Sequence, residues 1–404
     1  MLEPRFAIDE ILAPIGVARF MAEYEGKKPL HLKGDPDKFA EVMTWAKLSD
    51  LLSQATIWSQ SSLKLVLDKE PIAPARYCAT AAGRDGGQVL RPDPDKVQEF
   101  LRRGATLIAD DIDHLSAGLT SFAHAMEQGL GGMVQSNLYL SSRRRQGFAA
   151  HFDTHEVYAV HVEGTKTWHV YEGRAADPIA HPMFRSYGQE HHEKAKGKLL
   201  MDVHMEPGDL LYLPRGQYHD AIADEGGAVH IAFGVTYPIG LDVVSTLYER
   251  MMFEPVFRAN LPRQGGADDR ALGDRLRVLA DAIAAVLVEP ETLEQIKKMQ
   301  RDHHYPRHAY KLPDLLAETV DERFRVRASG IRLVQQGGRF GLVSEGSRAA
   351  TEVPADASAM VAWVLERKQF SRSELALAFP ERQASQHDQL LKDLGAMRLT
   401  EPIL

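Results

Sequence analysis

The 404-residue sequence predicts an α+β protein: an antiparallel β-barrel dressed with helices, then a helical stretch, then a second module of strands and helices. Three observations carry this expectation. Up to about residue 240, short alternating strands and turn residues mix with helical runs such as SFAHAMEQGL, as in a decorated barrel. From Leu241 the pattern turns helical, with Leu272, Leu276, Leu279 and Ile283 at helix spacing. Beyond about residue 320 strand alternation returns in FRVRASGIRLVQQGGRFGLVSEG. The expected divisions are residues 1–240, 241–320 and 321–404.

Residues 1 to about 30 read as a helical lead-in, with Phe20 and Tyr24 four apart, running into KKPLHL. The polar stretch Tyr187 to Lys198 lacks alternation and is expected to be a solvated loop. The stripe between about Arg270 and Met299 is long for a helix that serves only its own barrel, and such a face needs a cover. In the last segment Gly337-Gly338 marks a hairpin turn, and helical stretches follow around Met360 to Glu366 and His387 to Leu394. That order is winged-helix-like.

Composition fits an ordinary soluble protein of two or three domains, at 44% hydrophobic and 26% charged residues. No run of 18 apolar residues occurs, and MLEPRFAIDE has acids and a proline where a signal peptide needs a basic and then an apolar stretch. A cytoplasmic protein without membrane insertion is therefore expected. The single cysteine, Cys78, excludes an intrachain disulfide and a cysteine-based zinc site, and a buried small residue is its ordinary role. A net charge of −8 argues against broad nucleic-acid binding, and no specific nucleic-acid partner is expected. The basic run Arg143-Arg144-Arg145 is expected in a solvated hairpin loop.

The most specific signal is GDLLYLPRGQYH, Gly208 to His219, preceded upstream by His151-Phe152-Asp153. Pro214 and Gly216 set a tight turn that ends one strand and re-aims the next, bringing His219 back across the barrel. If His151 and Asp153 lie on a strand, they are two apart and point the same way, so they can grip one ion together with His219. Two imidazoles and one carboxylate form a facial triad suited to Fe(II), with positions left open for a co-substrate and dioxygen. Two rival pairs, His191-x-Glu193 and His204-x-Glu206, lack a partner with the same logic. Lys166 alone would be read as a surface lysine after a Gly164 turn. Its register says otherwise: Lys166, Trp168 and Val170 share one face of the strand KTWHVY, which marks that face as covered. Gln135, Asn137 and Tyr139 likewise share a face, and three polar groups on one side of a strand point to a wet pocket.

The blocks SNLYL, Gln146 to Phe148, His151-x-Asp153, Glu163 to Trp168 and Pro207 to Gly216 together resemble the JmjC-type ribosomal oxygenases, also called the cupin-4 family. The resemblance covers most of residues 20 to 240. It implies a double-stranded β-helix (the cupin/JmjC jelly roll), a helical dimerisation region at 241–320, and a winged-helix-like domain at 321–404 used for structure or protein contact. It further implies that His151, Asp153 and His219 ligate iron, that Lys166 holds the distal carboxylate of 2-oxoglutarate with Asn137 assisting, and that Tyr139 lies near the co-substrate or substrate. Some bacterial relatives carry Arg at the position of Lys166. The implied activity is Fe(II)- and 2-oxoglutarate-dependent hydroxylation, with dioxygen, of a histidine or arginine side chain in a basic ribosomal protein, by a homodimer.

Two alternatives stay open on the sequence. The same chemistry could serve a nucleoside or a small metabolite, with only the pocket mouth differing. Alternatively, the chain could be a metal-binding cupin sensor without catalysis, with the C-terminal module as its output.

Overall fold

A computed structural model describes residues 5–83, 86–142, 147–263, 270–307, 321–344 and 350–403. The chain divides into two units, Met1–Ala309 and Tyr310–Leu404. Strands of the first unit, in chain order, are β1 (Leu30–Leu32), β2 (Leu63–Leu67), β3 (Glu70–Pro71), β4 (Cys78–Ala82), β5 (Gln88–Pro92), β6 (Thr106–Ala109) and β7 (Met133–Ser141). They continue with β8 (Glu156–Arg174), β9 (Leu199–Met205), β10 (Leu210–Leu213) and β11 (Gln217–Thr236). All but β4 and β5, which pair with each other, join one antiparallel sheet in the order β1-β10-β8-β11-β7-β6-β2-β3, with β9 also paired to β8.

The two long strands β8 and β11 run side by side from Gln217↔Arg174 to Val235↔Glu156, and three register shifts bend them along the way. Alternation then divides their side chains between two cores. Tyr158, Val160 and Val162 join Leu210, Tyr212, Val229 and Ile231 in the larger core, which the helices cover. Val157 and Ala159 instead face Trp168, Val170, Val203, Met205, Leu211 and Leu213. The polar pocket described below opens on this second face.

Helices α1 (Ile8–Ile11), α2 (Gly16–Glu23), α3 (Trp45–Ser53), α4 (Pro94–Arg102) and α5 (Ala117–Leu130) precede β7. In α5 the Ser116 hydroxyl caps the start by accepting from Leu119 N at 3.2 Å, and Gly131, at φ +73°, ends the helix in the left-handed region. Its buried face, including Leu119, Phe122 and Met126, packs into the larger core. The lead-in is helical as expected: Phe20 on α2 is buried edge-on to Tyr212, ring centroids 4.8 Å apart. Cys78 is buried.

Two expectations need correction. Tyr187 to Lys198 is not a loop throughout, because after α6 (Pro182–Arg185) it forms the short helix α7 (Gln189–Ala195). None of its residues is buried, so there was no apolar period to read, and a Glu190–Lys194 pair at 2.7 Å supports it from the outside. Gly164 does not end a strand either. It sits inside β8 at φ +67°, near the register shift between Ala223 and Ala228 on the partner strand.

After β11 come α8 (Gly240–Met251), α9 (Pro255–Arg258), α10 (Arg270–Leu287) and α11 (Pro290–Asp302). These helices bury little: Leu241, Val244, Tyr248, Leu276 and Ile283 are all exposed. Downstream, Arg307 returns to the barrel. Its fully buried guanidinium lies 2.8 Å from both Glu127 and Asp113 and donates to Val134 O at 2.6 Å. Asp113 also accepts from Ser136 N at 3.1 Å, so the clamp fixes the start of β7. No helix among the described residues is long and apolar enough to cross a membrane.

The second unit has two three-stranded sheets, formed by β12 (Arg323–Val326), β13 (Ile331–Gln336), β14 (Arg339–Ser344), β15 (Ala350–Val353), β16 (Gln369–Ser371) and β17 (Thr400–Ile403). The β13–β14 hairpin turns at Gly337-Gly338, both at positive φ, as two-residue hairpins favour. Helices α12 (Ser358–Leu365) and α14 (Ala384–Ala396) occupy the two expected stretches, and α13 (Arg372–Ala378) is additional. Val364, Phe370, Leu375 and Leu394 lie at the centre of this unit's core.

Candidate active site

His151 is not on a regular strand; it makes an isolated bridge with His219 on β11. His151 N donates to His219 O at 3.1 Å, His219 N donates to His151 O at 2.9 Å, and Gly216 N donates to Asp153 O at 2.9 Å. Backbone pairing therefore staples the two sequence motifs together. Gly216 makes this possible: its φ is +85°, and a Cβ there would lie 2.2 Å from Ala175 O.

Ligand atoms of His151, Asp153 and His219 all lie within 4.8 Å of one another. Among the described residues this is the one group of three or more such side chains placed to share an ion. His151 Nδ1 is 2.9 Å from Ala149 O and His219 Nδ1 is 3.0 Å from Gln217 O. A carbonyl only accepts, so both Nδ1 atoms carry hydrogen, and Nε2 is the ring nitrogen that each histidine turns to the shared position. Burial, with help from His151, pushes His219 down to about 4, so it is neutral at physiological pH. Burial pushes the Asp153 carboxyl up, but His155, His219 and His151 outweigh it and hold the group below its ordinary range. The neutral His219 imidazole, the His151 ring and an ionised carboxylate suit a divalent cation with open positions.

The triad stands where two cavities meet. An inner one of about 260 Å³ is lined by Tyr139, Phe148, Lys166, Trp168 and His230 as well as the triad. An outer one of about 880 Å³ shares His151 and Asp153 and continues past His155, Phe184 and Ile239. Lys166, 6% exposed, ends in the inner cavity, with Nζ 3.5 Å from His230 Nδ1 and 5.7 Å from the centroid of the Trp168 ring. Burial lowers it to about 7, and among the described residues no carboxylate forms an ion pair with it. Tyr139 stacks on His230 with centroids 4.8 Å apart, and burial raises its phenol well above the ordinary value.

Residues 114–243 match the family model described as the JmjC domain. That segment is about a third of the chain. Its relatives carry the names ribosomal oxygenase and NO66. It is 27% identical over 236 residues to the bifunctional lysine-specific demethylase and histidyl-hydroxylase NO66 of Drosophila erecta, covering 58% of this chain and 34% of that protein. It is 28% identical over 296 residues to ribosomal oxygenase 2 of Bos taurus, covering 69% of this chain and 61% of that one. The matched part thus spans only about a third of the length of the NO66 relatives. The structure of YcfD, a ribosomal oxygenase from Escherichia coli, aligns over 96% of this chain and 98% of its own at 16% identity, with a TM-score of 0.48.

The residues singled out from sequence are placed unevenly. His151, Asp153, His219, Lys166 and Tyr139 converge on the inner cavity. Asn137 does not line it; its Oδ1 accepts from Asp111 N at 3.1 Å, beside Gln135, whose Nε2 donates to Asp111 Oδ1 at 3.3 Å. Gln146 and Arg143 to Arg145 lie outside the described residues. Both rival pairs are spent elsewhere: Glu193 pairs with Lys196 at 2.6 Å, and Glu206 with Lys33 at 2.8 Å. Sequence inspection missed His230, Thr106 and Ser141, all of which line the inner cavity. His230 is the cross-strand partner of Tyr139, a relation that appears only once the β7–β11 register is known.

Proposed function

We propose that this chain is an Fe(II)- and 2-oxoglutarate-dependent oxygenase that hydroxylates a histidine or arginine side chain of a protein, with a basic ribosomal protein as the target. The observation that carries this proposal is the His151, Asp153 and His219 cluster at the junction of two cavities, the inner one holding a buried lysine with no carboxylate partner among the described residues. A dicarboxylate that chelates a metal through its keto-acid end needs a fixed cation at the other end, and Lys166 is so placed. The residues present fit iron, since both imidazoles offer Nε2 and the carboxylate is ionised. When bound, iron supplies the oxidising chemistry that couples decarboxylation of 2-oxoglutarate with dioxygen to hydroxylation.

The protein's own work is positional. His151, Asp153 and His219 hold the metal, and their backbone pairing sets the distance between them. Lys166 holds the distal carboxylate, with the Tyr139 phenol beside it, while the His230 ring keeps both in place. Asn137 assists through the Tyr139 phenol while its oxygen fixes the Asp111 backbone. The target side chain enters from the outer cavity, the larger of the two. The names of the relatives, ribosomal oxygenase and histidyl-hydroxylase, support a protein target.

We further propose that α8, α10 and α11 pair two copies of the chain. Their exposed Leu241, Val244, Tyr248, Leu276 and Ile283 would otherwise face water. Light scattering at micromolar concentration checks this, with twice the chain mass expected. The second unit is winged-helix-like and serves protein contact. For the activity itself, mass spectrometry of ribosomal proteins from cells with and without the gene should show one protein lighter by one oxygen when the gene is missing. If no protein changes mass and the purified protein does not turn over 2-oxoglutarate, the chain is no oxygenase.

A further inference from the structure

The helix α7 has no apolar face to hold it on the barrel: none of its seven residues is buried, and its Glu190–Lys194 pair is exposed. Its C-terminal end is fixed by backbone instead. Gly173 N donates to Lys196 O and Glu172 N to Lys198 O, both at 2.8 Å. At Gly173 a Cβ would lie 2.0 Å from Ala195 O, so only a glycine lets the helix come this close. Lys196 Nζ adds a contact 4.6 Å from the centroid of the Tyr171 ring.

The other end of α7 meets the strap that carries His151 and Asp153. Residues 152–155 belong to no helix or strand, and the bridge at His151 is isolated, so no ladder defines the strap. From α7, Gln189 Nε2 donates to the carbonyl of buried Ala150 at 3.3 Å and to Glu193 Oε1 at 3.1 Å. Three rings also meet here, one from each segment: Phe152 of the strap, Tyr218 of β11 and His192 of α7. Phe152 is edge-on to Tyr218 with centroids 5.3 Å apart, and His192 lies 5.7 Å from each. His192 Nδ1 is 3.3 Å from the Tyr218 hydroxyl. Phe152 stands between His151 and Asp153 in the chain, and Tyr218 immediately precedes His219. His219 lines the inner cavity, so strand alternation turns Tyr218 away from it. The neighbours of all three ligands are thus gathered behind the cluster, under α7.

We propose that Gln189 and His192 of α7 are positioning residues for the metal cluster: the amide holds the Ala150 carbonyl, and the imidazole ring presses Phe152 against Tyr218. Together they keep His151 and Asp153 in register with His219. This rests on the metal-binding role given to the cluster above and adds what holds the ligands still. Ligands have to be held to within about 0.5 Å, which an irregular strap needs outside support to achieve.

The test uses the full chain, free of metal, co-substrate and target. Titration with Mn(II), followed by the paramagnetic resonance of the free ion, gives the affinity of the cluster. Gln189→Met removes the donor at similar length, and His192→Ala removes the ring. Each should weaken Mn(II) binding about three- to tenfold, less than the roughly ten- to hundredfold typical of groups bonded directly to a ligand. His192→Phe restores a ring and should stay within about twofold of the unaltered chain. Lys194→Ala loosens the helix without touching the strap and should leave the affinity unchanged.

Hydrogen exchange on the metal-free chain reads the strap without any ion. The His151 amide, which donates to His219 O, should exchange about tenfold faster in Gln189→Met and in His192→Ala, and at its usual rate in Lys194→Ala. Unchanged exchange or unchanged Mn(II) affinity in either of the first two variants overturns the proposal. So does an equal effect of Lys194→Ala, or a His192→Phe chain as weak as His192→Ala. If the unaltered chain binds no Mn(II), the oxygenase function falls, and exchange alone decides whether α7 holds the strap.

Discussion

Replacing Lys166 with methionine should make the protein more stable and weaken the proposed 2-oxoglutarate site. The side chain is 6% exposed, its one polar contact among the described residues is the neutral edge of His230 at 3.5 Å, and burial takes its ammonium from 10.5 to about 7. At 1.36 kcal/mol per pH unit, that opposes the charged form by on the order of 5 kcal/mol. Methionine fills a similar volume without the amine, and water in the cavity already relieves part of the cost. The expected gain is about 1–2 kcal/mol, or roughly 1.5–3 °C in Tm for a unit of this size. The lost contact to a carboxylate is charge-assisted, worth about 1.5–3 kcal/mol, so the affinity for 2-oxoglutarate should fall about ten- to a hundredfold. Thermal melts and calorimetric titration of 2-oxoglutarate into the Mn(II)-loaded protein read both effects. An unchanged affinity would show that Lys166 is not the anion's partner, and a lowered Tm would refute the reasoning from desolvation.

The same lysine predicts a pH dependence. Above about pH 7 it is neutral in the empty site, so binding the dianion must take up a proton, and affinity should fall by up to tenfold per pH unit; a flat affinity between pH 7 and 9 would count against it. His151→Ala, Asp153→Ala and His219→Ala should each abolish iron-dependent decarboxylation and lower metal content while circular dichroism stays unchanged; near-normal iron in any one removes that residue from the ligand set. Arg307→Met leaves Asp113 and Glu127 buried without their cation, so stability in urea should drop by about 3–5 kcal/mol.

The triad was legible because its spacing is a backbone requirement: Gly216 must turn where no Cβ fits, and His219 then pairs with His151 wherever the rest of the chain goes. Lys166 was legible through strand parity with Trp168 and Val170, all three of which are buried. Other features carried no local signal. The strap from His151 to His155 is irregular, although its two-residue spacing suggested a strand. Asn137 shares a face with Tyr139 and interacts with its phenol, but that its oxygen also accepts from the Asp111 backbone depends on a separate loop. His230 and Arg307 depend on partners far away in sequence, and a neutral histidine in AVHIAFG looks like any strand residue until its neighbours are known.

Arg307 also sets how the chain bears load. It stands two residues before the boundary at Ala309 and is tied to Asp113, Glu127 and the start of β7, the strand that carries Gln135 and Tyr139. A pull arriving along the chain from residue 310 onward would be borne by this clamp and passed to β7, bypassing α8 to α11. Those four helices then lie outside the load path, although Asp242 of α8 lines the outer cavity.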